Sequence, residues 1–143
     1  MFKATLLLAL AFLLPSANAQ APVASYTPDT GVLTSTTTIE AFVHEKATES
    51  HLQGLYETLK YESQGWKNQQ STIPHAGGPN GLEDSWGVCQ IHLPDHPDIT
   101  KEEALDPVFC VNWTIEQFKK GHADWWTGYR LYETGKLDDA AGN

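Results

Sequence analysis

Apolar residues recur at helical spacing along most of this chain, and they shorten into a strand-like run in only one place. Ile39, Phe42, Val43 and Lys46 follow a helical period behind Thr37-Thr38-Ile39-Glu40. That tetrad has the form of a capping box, a Thr followed three residues on by Glu. A clearer helix is predicted from about Ser50 to Ser63, with Ser50 and Gln53 offering a second box. Leu52, Leu55, Tyr56 and Leu59 stand at i, i+3, i+4 and i+7, a continuous apolar stripe. Extended by three residues, the stripe reaches Glu62, and Gly65 follows as the expected terminator.

Beyond this helix the pattern changes. Gln69 to Asp84, with Pro74 and Gly77-Gly78-Pro79-Asn80-Gly81 inside it, is rich in turn residues and is expected to form no regular element. Trp86 to His92 is long enough for a small hairpin only. Thr100 and Glu103 should cap a short helix, and Asp106-Pro107 should open a longer one, with Asp at the cap and Pro in the first turn. Val108, Val111, Ile115 and Phe118 form its inward stripe and Gly121 ends it. Asp124-Trp125-Trp126 begins a last aromatic helical segment through Tyr132. No internal repeat is present. The inventory predicts a mainly α, α+β domain over residues 38–135, with a small β-hairpin and a long loop.

The ends narrow the setting. Residues 1–19 carry one early cation (Lys3), an apolar run from Leu6 to Leu14, and Ala17-Asn18-Ala19, the layout of a secretory signal peptide. The run is shorter than the roughly 20 residues a bilayer span needs. Residues 20–37 show no amphipathic period and are expected to be a flexible leader; residues 136–143 form a tail. Export to the periplasm or the medium, as a soluble monomer without stable membrane insertion, is therefore expected. The formal net charge is −9 over 143 residues, and −10 once Lys3 is removed. That balance argues against nucleic acid and anionic membranes as partners. In an oxidising compartment Cys89 and Cys110 would pair, closing a loop 21 residues apart. Such a crosslink contributes about 3 kcal/mol in chain-entropy models. Two free buried thiols are the alternative.

Glu62 is the candidate for chemistry. A carboxylate on an apolar helix face loses hydration, and a helix C-terminus carries partial negative charge; both favour the protonated acid. A proton-holding Glu in a cleft is what cleavage of a glycosidic bond requires, since the leaving oxygen is poor until protonated. Periodicity alone leaves a second reading, in which Glu62 turns outward as the helix ends.

Glu62-Ser63-Gln64-Gly65, then Gly87-Val88-Cys89-Gln90-Ile91 after a Gly-rich loop, resembles the soluble lytic transglycosylase and goose-type lysozyme family. That family carries Glu-Ser-x-Gly at a helix end and Gly-Leu-Met-Gln-Ile on a short hairpin. Asp106-Pro107 and Asn112 resemble the opening of its next helix, and the likeness covers about residues 39–132. The resemblance implies a lysozyme-like fold. It implies Glu62 as catalytic acid and base, Ser63 as a group orienting it, and Gln90 in the cleft. It implies peptidoglycan strands as substrate, cut at the β-1,4 bond between N-acetylmuramic acid and N-acetylglucosamine, with no cofactor. In lytic transglycosylases one carboxylate serves both steps, and the sugar's own C6 hydroxyl closes a 1,6-anhydro ring. The chain departs from the pattern in three ways. Glu62 and Gln90 lie 28 residues apart, a longer interval than usual; Val88-Cys89 replaces Leu-Met; and Arg130, not Asn, follows Tyr129.

Trp66, Trp86, Trp125 and Trp126 are candidates for stacking on sugar rings, with Trp86 the one expected beside the cleft, and Tyr129 the nearest match to the family's late Tyr. Glu83, Asp84, Asp95 and Asp98 are candidates for a second carboxylate, Asp84 and Asp95 foremost. The run Cys89-x-x-His92-x-x-Asp95-His96-x-Asp98 contains metal-ligand types, but Pro94 and Pro97 break any helix that would gather them, and no metal is expected. Besides the enzyme, two other functions fit: a non-catalytic lysozyme-like module that binds peptidoglycan, and a secreted metal-binding domain.

Overall fold

A computed structural model describes residues 38–137 together with the backbone of Tyr26–Thr27 and Val32–Leu33. The expected signal peptide, Thr37 and the end of the expected tail lie outside the described residues. Within the expected leader, β1 (Tyr26–Thr27) and β2 (Val32–Leu33) pair antiparallel, Tyr26 opposite Leu33.

The first helix is capped one residue later than the Thr37 box implies. In α1 (Ile39–Ser50) Thr38 is the cap, its hydroxyl accepting from the Ala41 N–H at 3.1 Å. Glu40, freed from capping, accepts instead from the Tyr56 hydroxyl at 2.7 Å, which ties α1 to the next helix and pushes the Tyr56 pKa up to about 12. The second expected box does not form. Helix α1 continues through Ser50, whose hydroxyl donates to the Lys46 carbonyl at 2.7 Å, and stops at His51 in the left-handed region. Helix α2 (Leu55–Glu62) then starts at Gly54, against which the Tyr132 ring packs. It buries Leu55, Thr58 and Leu59 and ends at Glu62. Gln64, Gly65 and Trp66 all take positive φ, at 50°, 80° and 72°, turning the chain sharply away.

The segment expected to lack regular structure is a paired arm. Ser71 N–H donates to the Ser85 carbonyl, Glu83 N–H to Ile73, His75 N–H to Gly81 and Gly87 N–H to Gln69, all at 2.8 to 3.1 Å. Isolated bridges join Gln70 to Trp86 and Pro74 to Leu82 in the same antiparallel register. The Gly- and Pro-rich tip supplies the reversal, a 3-10 turn over Pro79–Gly81. Strand β3 (Ser85–Trp86) pairs on its other side with β4 (Ile91–His92), Ser85 opposite His92. Because side chains alternate along extended backbone, Ser71, Ile73, Glu83 and Ser85 share one face of the arm. Asp84 and Trp86 take the other, where the Asp84 carboxylate accepts from the Trp86 indole N–H at 2.6 Å.

The helices behind the arm start where their caps predict. Thr100 and Glu103 form the full capping box of α3 (Lys101–Leu105). Asp106 caps α4 (Pro107–Lys119), accepting from the Val108 N–H at 2.9 Å. The aromatic segment expected to be one helix is two pieces. A 3-10 turn over Ala123–Trp125 precedes α5 (Thr127–Glu133), and Trp126 between them is extended. That break leaves the neighbouring indoles in contact, centroids 6.3 Å apart, but unequally covered: Trp126 is 6% exposed and Trp125 48%.

The core gathers Phe42 and Val43 of α1, Leu55 and Leu59 of α2, Val88 and Ile91 of the hairpin, Ala104 of α3 and Val111 of α4. Cys89, in the hairpin turn, is disulfide-bonded to Cys110 of α4, as expected. Gly87 lets the hairpin turn lie against α3: a Cβ there would fall 1.8 Å from the Ala104 carbonyl oxygen, at a φ of 78°. The architecture is mainly α with a small antiparallel sheet. Among the described residues no helix is long and apolar enough to cross a membrane.

Candidate functional site

A cleft of about 1240 Å³ runs between the arm and the helices. Residues Glu57, Lys60, Tyr61 and Glu62 of α2 line one side; Ser71, Ile73, Glu83 and Ser85, the shared face of the arm, line another. Gln90, His92, Asp95 and His96 continue from the hairpin, and Trp113, Trp125, Trp126 and Thr127 close the far end with Leu137 from the start of the tail.

Glu62 sits where α2 meets α5. Gly128 makes the meeting possible: a Cβ on it would lie 2.9 Å from the Thr58 carbonyl oxygen and 3.3 Å from the Tyr61 Cβ. With that space free, the Gly128 N–H donates to Glu62 Oε1 at 2.7 Å. Burial pushes the Glu62 pKa above the ordinary carboxylate value, and the negative charge of Glu83 adds to the rise. The Gly128 amide, the Arg130 guanidinium and the Thr127 amide oppose it. Desolvation is the largest of these effects, so the net direction is upward. The sequence reading anticipated the desolvation but not the amides of α5, which lie 65 and more residues away in the chain.

The remaining sequence candidates separate. Gln90 lines the cleft with φ at 49°, and its side-chain amide donates to the Gly87 carbonyl at 2.8 Å and the Gln69 carbonyl at 3.1 Å. That clasp joins the hairpin turn to the base of the arm. Ser63 does not line the cleft. It is 2% exposed, and its hydroxyl accepts from the Trp66 N–H at 2.8 Å and donates to the Lys60 carbonyl at 3.3 Å. It thereby holds the turn that follows Glu62. Trp86 is also outside the lining: it is 8% exposed, with the Lys101 ammonium 3.7 Å from its ring centroid. Alternation along β3 turns it to the face away from Glu83. Trp66 packs on Tyr56 instead, ring centroids 5.1 Å apart. Tyr129 points away too, its ring 5.2 Å from that of Phe118, and a hydrogen bond to Glu133 raises its pKa.

The aromatic wall is built from two of the expected tryptophans, Trp125 and Trp126, together with Trp113 and two histidines. Trp125 stacks on His122 with centroids 4.4 Å apart and planes 9° from parallel, and His96 lies 5.3 Å from it. Trp113 stands edge-on to His96 at 4.8 Å. Burial among these rings lowers the His96 pKa. Trp113, not among the sequence candidates, lies on α4 roughly opposite the stripe of Val108, Val111, Ile115 and Phe118, and packs 6.0 Å from the Trp126 ring. The Cys-His-Asp run does not gather around a point. Cys89 is in the disulfide, His92 Nδ1 lies 2.9 Å from Asp95 Oδ2, and His96 is in the aromatic wall. The His92 contact is the main reason the Asp95 pKa is lowered. Among the described residues no three such side chains come together as metal ligands would.

The cleft therefore offers a desolvated carboxyl group held in place by a backbone amide, a second carboxylate on the facing sequence of the arm, and an aromatic end wall. Such a site can hand a proton to a bound molecule and hold an apolar ring face against indole. No protein-family model matches this chain, and no curated protein or solved structure matches it either.

Proposed function

We propose that this chain is a lysozyme-like enzyme, exported to the cell envelope, that cuts peptidoglycan strands at the β-1,4 bond between N-acetylmuramic acid and N-acetylglucosamine. The observation that carries the reading is Glu62: a carboxyl group whose proton is favoured by burial, fixed by the Gly128 N–H in the lining of a cleft of about 1240 Å³. The motifs around Glu62 and Gln90, similar to those of the lytic transglycosylase and goose-type lysozyme family, name the substrate.

In this reading a glycan strand lies along the cleft with sugar faces against the Trp113–Trp125 wall. Glu62 donates its proton to the glycosidic oxygen as the C1–O bond breaks and positive charge builds on the sugar ring. The ionised Glu62 that results accepts from the Gly128 and Thr127 amides, so the opposing effects on its pKa serve the two halves of the step. Purified peptidoglycan incubated with the mature protein should release muropeptide fragments detectable by mass spectrometry. Glu62→Gln should lower the release by about 100-fold or more, the usual contribution of a general acid. Undiminished release by that variant would sink the proposal.

A second reading, a peptidoglycan-binding module without turnover, has one observation in its favour. Tyr129, the nearest match to the family's late Tyr, packs on Phe118 and bonds Glu133, and does not line the cleft. Tight binding to purified peptidoglycan with no fragments released by the unmodified protein would establish it.

A further inference from the structure

We propose that Glu83 is a second catalytic residue, the base that activates a water molecule, so that this chain hydrolyses its substrate. The inference rests on the reading of Glu62 as the proton donor. Of the four acidic residues that the sequence offered for this role, only Glu83 and Asp95 line the cleft, and Asp84 is turned to the far face of the arm with its carboxylate on the Trp86 indole. Asp95 is engaged with His92 at 2.9 Å. Glu83 has a different setting. Its backbone N–H is fixed to the Ile73 carbonyl at 2.8 Å, so the register of the arm aims its side chain into the cleft. One carboxylate oxygen accepts from the Ser71 hydroxyl at 3.1 Å, and Ser71 in turn receives the Ile73 N–H at 3.2 Å. That small network holds the group in one orientation.

The two carboxyl groups also differ in the way an acid and a base must. Glu62 is buried on a helix end; Glu83 is partly open to solvent, with hydroxyl support, near enough that its charge is felt at Glu62. A buried carboxyl group and a more exposed one lining the same cleft suit paired acid and base roles. In the step, the C1–O4 bond breaks as Glu62 gives its proton to the departing oxygen. The oxygen of a water molecule bonds to C1, and its proton passes to the Glu83 carboxylate. The products are one free 4-hydroxyl and one reducing end, with the proton on Glu83 later returning through solvent to Glu62.

Digestion in heavy-oxygen water separates the outcomes. The full mature protein should give fragments with one heavy oxygen at each new reducing end. Glu83→Gln should reduce that hydrolytic yield by about 100-fold or more. Glu83→Ala, which removes the base and leaves room beside C1, should regain turnover with sodium azide and release a glycosyl azide. A merely structural role for Glu83 would not be rescued by a small anion. Anhydro products from the unmodified protein, or full hydrolysis by Glu83→Gln, would overturn the assignment and leave Glu62 as sole acid and base. Loss of the Glu62 reading shows differently, as normal turnover in Glu62→Gln.

Discussion

The two walls of the cleft carry the same functional group in different settings. On the helical wall, Glu62 lies at the end of α2 where α5 crosses it, desolvated and held by a backbone amide. On the arm, Glu83 rides an extended backbone, and its carboxylate accepts from the Ser71 hydroxyl. The difference teaches that environment, not residue type, sets what a carboxyl group can do. The helical wall disfavours charge on its carboxyl group; the arm leaves its own partly in solvent. Each setting traces to a local cause: a glycine that lets two helices touch, and a side-chain alternation that selects Glu83 over Asp84.

The largest effect on this arrangement should come from separating the walls. Cys89–Cys110 staples the hairpin to α4, so Cys89→Ser with Cys110→Ser should cost about 3 kcal/mol, read as a lowered midpoint in urea. If the midpoint stays where it was, the arm is held by its hydrogen bonds and core contacts alone. Next comes the helical wall by itself. Gly128→Ala places a methyl 2.9 Å from the Thr58 carbonyl oxygen and should cost about 1 to 3 kcal/mol as α5 shifts. Its effect on wall cleavage should exceed its effect on stability, since the amide that holds Glu62 moves with α5. Activity unchanged in a destabilised Gly128→Ala protein would mean that the amide is dispensable.

At the end shared by both walls, Trp125→Ala should weaken retention of glycan by roughly tenfold, about the scale of one aromatic contact, while Trp86→Phe leaves it alone. Equal losses in the two would return Trp86 to the site. The smallest effect is one of sign. Glu62 holds its proton more tightly in the folded chain than in the unfolded one, because burial outweighs the amides. Its contribution to stability is therefore complete below the ordinary glutamate range and is lost as pH rises through the raised value. Glu62→Gln should accordingly unfold at a higher temperature than the parent at neutral pH, with the gap closing in acid. A gap that widens in acid would show that the α5 amides outweigh burial.

What could be read from the sequence follows the reach of each signal. Thr100, Glu103 and Asp106 announce their helices correctly because a cap bonds to a backbone two or three residues away. Glu62 was visible because its position depends on the stripe of its own helix. Thr37 and Ser50 misled for the same local reason: each begins a plausible box, but neighbouring turns choose Thr38 and Gly54 instead. The arm was invisible because its pairing, Ser71 with Ser85 and Ile73 with Glu83, is non-local and interrupted by a turn of glycines and prolines. Without that register nothing distinguishes Glu83 from Asp84. Trp86 was misplaced by the same gap in knowledge. The Gly128 contact, 66 residues from Glu62, leaves no mark in any window of sequence.

One hydrogen bond within the cleft wall joins parts that otherwise look separate. The Trp126 indole N–H donates to the Cys89 carbonyl at 2.8 Å, immediately before Thr127 and Gly128 present their amides to Glu62. The crosslinked turn thus anchors the peptide groups that set how firmly the acid keeps its proton. Any coupling between that anchor and the proton on Glu62 is reciprocal: the free energy by which loosening one alters the other is the same in both directions. If reduction of the disulfide loosens this turn, the expected result is a further rise in the Glu62 pKa, with the Arg130 guanidinium still opposing burial.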